Sequence, residues 1–220
     1  ALRDAIGRAR DNGVNLVAAA GNSAVNVDNV TPASCPGVIS VAAIDQGNNL
    51  AQYSSRGANV GISAPGGGGF FIFNPNGTVN ATSPVYGNTV GTPACNPDPG
   101  SAFNANTLGV VSAWTTSPTS GNSHCYRYLS GTSMAAPHVA GTIGLMLSIN
   151  PGLLPERVSS LIRSTASALP GCGSNCGPGL LNAYAAVDNA RLATSGPCST
   201  DAASVSKLCA IDSIGQYVNA

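Results

Sequence analysis

The 220-residue chain is 43% hydrophobic, enough for one domain with a substantial core, and only 8% of it is charged, with nine basic and nine acidic residues in balance. So sparse and neutral a charge pattern excludes recognition of nucleic acid or an anionic membrane by electrostatics. The 27 Gly and 15 Pro are spread along the chain, marking long loops between compact elements and excluding a linker, a low-complexity tail or an internal repeat.

In chain order, ALRDAIGRARDNG (1–13) sets Leu2, Ala5, Ile6 and Ala9 at helical spacing with Arg3, Asp4, Arg8 and Arg10 outside. No capping residue precedes it, so the chain reads as beginning inside a helix, as a fragment of a longer protein. Asn12-Gly13 supplies a helix-ending turn. VNLVAAA (14–20) has no alternation and reads as a buried strand of a parallel sheet; GVISVAAI (37–44), NVGISAP (59–65) and LGVVSAW (108–114) read as further buried strands. The stretch 66–107 opens on Gly66-Gly67-Gly68-Gly69 and is too long for an ordinary connection, which makes it a surface insertion. Its glycines form no GxGxxG between a strand and a helix, so no nucleotide site is read there. Helical patterns occupy 132–149, 155–169 with Pro155 in the first turn, and 180–190. Surface helix, buried strands and buried helix predict a three-layer α/β/α domain over 1–190, followed by a short extension, 191–220.

Seven cysteines stand at 35, 95, 125, 172, 176, 198 and 209, without CxxC pairs, which argues against a zinc site and for the disulfides of an exported, extracellular protein. The chain shows neither an initiator Met nor a signal peptide. Proximity pairs Cys172 with Cys176, Cys198 with Cys209 and Cys95 with Cys125. Cys35 is left to pair with a cysteine preceding residue 1.

The helix from Met134 to Ile149 is apolar or small at nearly every position and is expected to be buried on all sides. Pro137, His138 and several glycines interrupt it, whereas a membrane span needs about 20 apolar residues. It begins with Ser130-Gly131-Thr132-Ser133. A serine there is either a helix cap or, at the positive end of a buried helix, a nucleophile. Asn22, after Gly21, is either a turn residue or a side-chain donor at the carboxyl edge of the sheet. His138 lies five residues after Ser133, ~7.5 Å along the helix and ~140° around it, so it cannot take the serine proton and reads as a buried structural histidine. His124 reads as a surface histidine.

GTSMAAPHVAG (131–141) is similar to the signature around the nucleophilic serine of subtilisin-like serine proteases, and VAAAGN (17–22) resembles that family's strand ending in the oxyanion-hole asparagine. YSSRG (53–57), ISAPGG (62–67) and GPGLLNAYAAV (177–187) resemble other parts of the same domain in the same order. The resemblance implies a mostly parallel sheet in three layers and a secreted endopeptidase acting on polypeptides through an acyl-enzyme on Ser133. It implies that the Asn22 side chain and the Ser133 N–H are the oxyanion donors, and that Ala18, Ala19, Ala20, Gly21, Gly131 and Thr132 contact substrate. The family's triad runs Asp, His, Ser, and no segment here resembles its first two blocks, so both are expected upstream of Ala1, in a missing N-terminal segment that is this chain's partner. The chemistry needs no cofactor. Structural calcium is common in the family, but no DxDxDG loop is present and any site would be built from scattered carbonyls. A catalytically inactive peptide-binding module is the alternative; an esterase or lipase is disfavoured because the motif is not GxSxG. Peptide mapping of the mature protein should find Cys35 linked to a cysteine outside this chain; a link to any of the other six refutes the pairing.

Overall fold

A computed structural model describes residues 1–68, 109–115 and 124–193, and the two-residue strands 210–211 and 217–218. Helix α1 (Leu2–Asp11) stops where the Asn12-Gly13 signal places its end. Gly13, at φ +82°, donates to the Arg10 carbonyl at 2.8 Å, and Val14 N–H to that of Ala9 at 3.0 Å. These are the paired bonds of a Schellman stop, which a left-handed glycine completes without steric cost. Of the predicted apolar stripe only Ile6 is buried, while Leu2 and Ala5 face solvent.

Three parallel strands follow, β1 (Leu16–Ala19), β2 (Val38–Ile44) and β3 (Ile62–Pro65), in the order β1-β2-β3, with Ala18 opposite Ser40 and Ala43 opposite Ala64. Central β2 is covered on both faces, and its alternation feeds two cores. Ile39, Val41 and Ala43 pack in one core with Val139, Ile143 and Met146, whereas Ala42 joins Ala20, Val27, Ala33 and Val60 in the other. Double coverage is why this strand reads as an unbroken apolar run. Helix α2 (Thr132–Ile149) lies against all three strands, and α4 (Ala183–Leu192) packs on both α2 and α3 (Pro155–Ser164). Helices layered on a parallel sheet give the α/β class read from the sequence. Among the described residues no helix is long and apolar enough to cross a membrane.

Four expectations are corrected. Helix α2 is not buried all round: Ala135, Val139, Thr142, Ile143 and Met146 are, whereas Pro137, His138, Ala140, Gly141, Gly144, Leu145 and Ile149 are exposed, Leu145 by 57%. A helix apolar on every face carries no signal of which face is covered. LGVVSAW is not a fourth parallel strand; β4 (Val110–Thr115) pairs antiparallel with β5 (His124–Leu129) as a separate ribbon, with Val111 46% exposed.

The helix predicted over 155–169 ends at Ser164, where both the N–H and Oγ1 of Thr165 bond the Leu161 carbonyl, at 3.1 and 2.7 Å. The last helix begins at Ala183 rather than 180, capped by Asn182 Oδ1 accepting Ala185 N–H at 3.0 Å. The residues between are held in extended pairing. Ser167 and Leu180 exchange two 2.8 Å bonds, Ser63 N–H donates to Gly179 at 2.9 Å, and Leu181 N–H donates back to Ser63 at 2.8 Å. Pairing at the open edge of β3 outweighs helix propensity of a few tenths of a kcal/mol per residue. Strands β6 (Ala210–Ile211) and β7 (Tyr217–Val218) pair antiparallel in the extension. The proposed insertion lies outside the described residues beyond residue 68.

Cys172 and Cys176 are disulfide-bonded, as predicted, and the loop they close packs on the entry to β3: Gly57 N–H donates to Asn175 at 3.0 Å and Ser63 Oγ to the Cys176 carbonyl at 3.1 Å. Gly177, next in sequence, has φ +61°, and a Cβ there would overlap the Val60 carbonyl. Gly177→Ala should therefore destabilise the protein by roughly 2–4 kcal/mol. Gly7→Ala, in α1 with nothing within 4 Å of its Cβ position, should be neutral or stabilising by up to ~1 kcal/mol. Calorimetric Tm values of the two variants, which should move apart, check this.

Candidate active site

At its carboxyl end β1 runs into Ala20, Gly21 and Asn22. Gly21 has φ +103°, and a Cβ on it would press to 3.1 Å from Ser55 Oγ and 3.2 Å from Val30 Cγ1, so only glycine fits. Its carbonyl accepts Ser55 N–H at 2.8 Å, and its N–H donates to Thr132 Oγ1 at 3.2 Å. Thr132 is fully buried at the start of α2. Its hydroxyl and its backbone N–H both donate to Asn22 Oδ1, at 2.8 and 2.9 Å. Two donors on one oxygen fix which way the carboxamide faces, since the NH₂ end could accept neither. Nδ2 is turned outward and has no acceptor among the described residues.

The turn before α2 is seated by Gly131 N–H donating to the Gly66 carbonyl at 2.9 Å. In the first helical turn Met134 N–H and Ala135 N–H both reach the Gly131 carbonyl, at 2.9 and 3.3 Å. The N–H of Ser133 between them and Thr132 has no acceptor among the described residues, and the Ser133 side chain is exposed. The point a Gly131 Cβ would occupy lies 3.4 Å from Asn22 Nδ2 and 3.7 Å from Ser133 N. Two donors without an acceptor among the described residues therefore flank Gly131 next to the exposed Ser133, at the positive end of an 18-residue helix, with Met134 Sδ 3.7 Å from the same point. An electron-rich oxygen lodged there would find its hydrogen-bond partners already in place.

Of the other residues singled out in the sequence, Ala18 and Ala19 are half-buried, and Ala20 and Thr132 are fully buried. The last two present no exposed surface. His138 is exposed, a correction to the buried histidine expected. Its Nδ1–H donates to the Met134 carbonyl at 2.9 Å and no hydrogen bond joins it to Ser133. It stands on the face of α2 that no described element covers. Cys35 is buried and bonded to no other cysteine among the described residues. The side chains of His124, Cys95, Cys125, Cys198 and Cys209 lie outside the described residues. Among the described residues no three His, Cys, Asp or Glu side chains converge on a metal position. Sequence reasoning missed that Thr132 orients Asn22 and that Gly66 seats Gly131. Both are contacts between distant segments, without local periodicity to betray them.

A parallel sheet with a clamped asparagine just past the end of β1, and an exposed serine opening the long helix packed on that sheet, belongs to a subtilisin-like fold. Residues 1–186 match the subtilase family, and the chain belongs to this family of serine proteases. It is 35% identical over 188 residues to an extracellular protease of Xanthomonas campestris pv. campestris, covering 84% of this chain and 25% of that protein. It is 33% identical over 189 residues to subtilisin DY of Bacillus licheniformis, covering 84% and 51%. Its fold matches proteases from Pseudoalteromonas arctica with a TM-score of 0.65 at 32% identity, over 86% of this chain and 46% of that one. Fervidolysin from Fervidobacterium pennivorans, a keratinolytic enzyme related to subtilisin, matches with a TM-score of 0.55 at 29% identity, over 90% and 25%. The chain thus spans about half the length of these relatives or less.

Thr132→Val keeps the volume but removes a donor to Asn22 and the acceptor of Gly21 N–H. It should cost about 1–3 kcal/mol and speed amide exchange at Gly21, read by hydrogen–deuterium exchange of the full-length protein. Unchanged protection at Gly21 would contradict the bonding described.

Proposed function

We propose that the intact protein is a secreted serine endopeptidase in which Ser133 is the nucleophile and Asn22 Nδ2 and the Ser133 N–H hold the oxyanion. The observation that carries this reading is the placement of those two donors, both without an acceptor among the described residues, within 3.4 and 3.7 Å of one point beside Gly131, next to the exposed Ser133. Ser133 Oγ bonds to the scissile carbonyl carbon while its proton passes to a histidine base. The carbonyl oxygen takes up negative charge between the two donors, and the C–N bond then breaks as the base protonates the leaving amine. Water hydrolyses the acyl-enzyme in the reverse sense. The carboxamide is held by Thr132 before substrate arrives, so no reorganisation accompanies charge development.

His138 does not suit the base: its Nδ1 is engaged by the Met134 carbonyl, and its helical offset from Ser133 forbids the contact. We assign the base and its orienting Asp to a segment upstream of residue 1. The same segment covers the exposed face of α2, where Leu145 and Ile149 are 57% and 47% exposed. The substrate is polypeptide, with Ala18, Ala19 and Gly21 at the end of β1 lining the cleft beside Gly131. Secretion fits a chain with a disulfide and a relative named as extracellular.

Turnover of a chromogenic peptide by three proteins tests the assignment: this chain, the full-length form, and full-length Ser133→Ala. Only the second should be active; activity surviving Ser133→Ala would falsify the serine-protease reading. In the full-length enzyme Asn22→Ala should lower kcat about 10²–10³-fold with KM little changed, a magnitude borrowed from subtilisin's own oxyanion-hole asparagine. Gly131→Ala places a methyl on the converging position and should lower kcat by roughly 10²-fold while the protein stays folded; full activity there would remove the position from the mechanism.

A further inference from the structure

We infer that Tyr53 is a positioning residue for this reaction, a strut that sets the distance between the Asn22 side of the site and the Ser133 side. The inference rests on the roles proposed above for those two residues. Tyr53 is 2% exposed, in the segment between β2 and β3. That segment is fastened to β2 by Ala51 N–H donating to the Ala43 carbonyl at 2.9 Å and by Ala43 N–H donating to Ser54 Oγ at 3.0 Å. From this fixed base the tyrosine reaches in two directions. Its backbone carbonyl accepts Ala24 N–H at 2.9 Å, two residues beyond Asn22, and Ser55, two residues after the tyrosine, donates its N–H to the Gly21 carbonyl at 2.8 Å. Its hydroxyl lies 2.8 Å from the Gly66 carbonyl and 2.6 Å from that of Gly67. The Gly66 carbonyl in turn accepts Gly131 N–H at 2.9 Å, two residues before Ser133. One residue therefore links the two turns that carry these donors, holding the Asn22 side with its backbone carbonyl and the Ser133 side with its hydroxyl, through the Gly66 peptide.

The Gly66-Gly67 turn depends on such a tether because it has no side chains of its own. A Cβ on Gly66 would overlap that of Ala43 and come within 2.9 Å of the Gly131 carbonyl, so the turn must be glycine to fit between β2 and the serine turn. Glycine has the greatest backbone freedom of any residue, and this run leads directly into the long stretch beyond residue 68. The phenol restores the fix that the glycines give up. It shares one proton between two carbonyls, so its loss leaves Gly67 without that donor while Gly66 keeps Gly131. The turn then drifts, carrying Gly131 and the Ser133 N–H away from Asn22 Nδ2. That displacement is felt where charge develops on the oxyanion and not in ground-state binding, so it falls on kcat.

The test uses full-length enzyme with Tyr53→Phe, Tyr53→Leu and Ser133→Ala, measuring kcat, KM, Tm and the fraction of molecules titrated by an active-site-directed fluorophosphonate. Tyr53→Phe keeps the buried ring and should lower kcat roughly 10-fold, within the ~10²-fold that a 1 Å misplacement can cost. KM should stay within about twofold, Tm should be nearly unchanged, and every molecule should still titrate, more slowly. Tyr53→Leu, which also loses the ring, should lose Tm and titratable sites as well. Wild-type kcat in Tyr53→Phe, or a loss no larger than its loss of titratable sites, overturns the inference and leaves the serine mechanism standing. Turnover by Ser133→Ala overturns the mechanism, and the role of Tyr53 with it.

Discussion

The structure of this site hangs on one buried hydroxyl. Thr132 bonds Asn22 twice and Gly21 once across a separation of 110 residues or more in sequence, joining the end of β1 to the beginning of α2. Each partner is left with something unpaired at the surface. Asn22 spends its oxygen inward and presents its NH₂, and the helix spends its first N–H on Asn22 and presents its second. Because Thr132 has no contact with water, these bonds meet no solvent competition, and a buried donor stripped of its acceptor there is worth about 1–3 kcal/mol. The rigidity of the site is thus a property of the packed interior beneath it.

Pro137 adds to this from the other side. It has no N–H to offer the Ser133 carbonyl four residues before it, so the helix bond that would tie Ser133 back into α2 is absent. The first turn is therefore placed chiefly from outside the helix, by Asn22 on one flank and Gly66 on the other. Its geometry is set by tertiary contacts with the sheet more than by the helix it opens, and a serine so placed can be aimed independently of the axis behind it.

How much of this was legible in the sequence varies with the range of the interaction. The strands β1, β2 and β3, the stop at Asn12-Gly13, the whole span of α2 and the Cys172–Cys176 bridge are written in local pattern, and each lies where the residues put it. The ends of α3 and α4 are not, because Ser167 and Leu180 are extended by pairing with each other and with Ser63, partners no local window contains. The ribbon of β4 and β5 escaped for a like reason: an apolar run such as LGVVSAW does not say which strand it will meet. Ser133 and Asn22 were found as residues, yet what orients Asn22 was hidden, since a threonine inside a serine-rich turn looks like any other helix start.

Strand β2 serves two cores at once, Val41 and Ala43 in one and Ala42 in the other. Its register is accordingly a gear with teeth on both sides. An extra residue anywhere between Val38 and Ile44 would exchange the two sets, forcing valine into a layer built for alanine and leaving a void in the opposite layer. Growth by insertion is closed to the sheet and open only to its connections. The glycine turn at the tip of β3 is one of those connections, where added length moves no tooth of the gear.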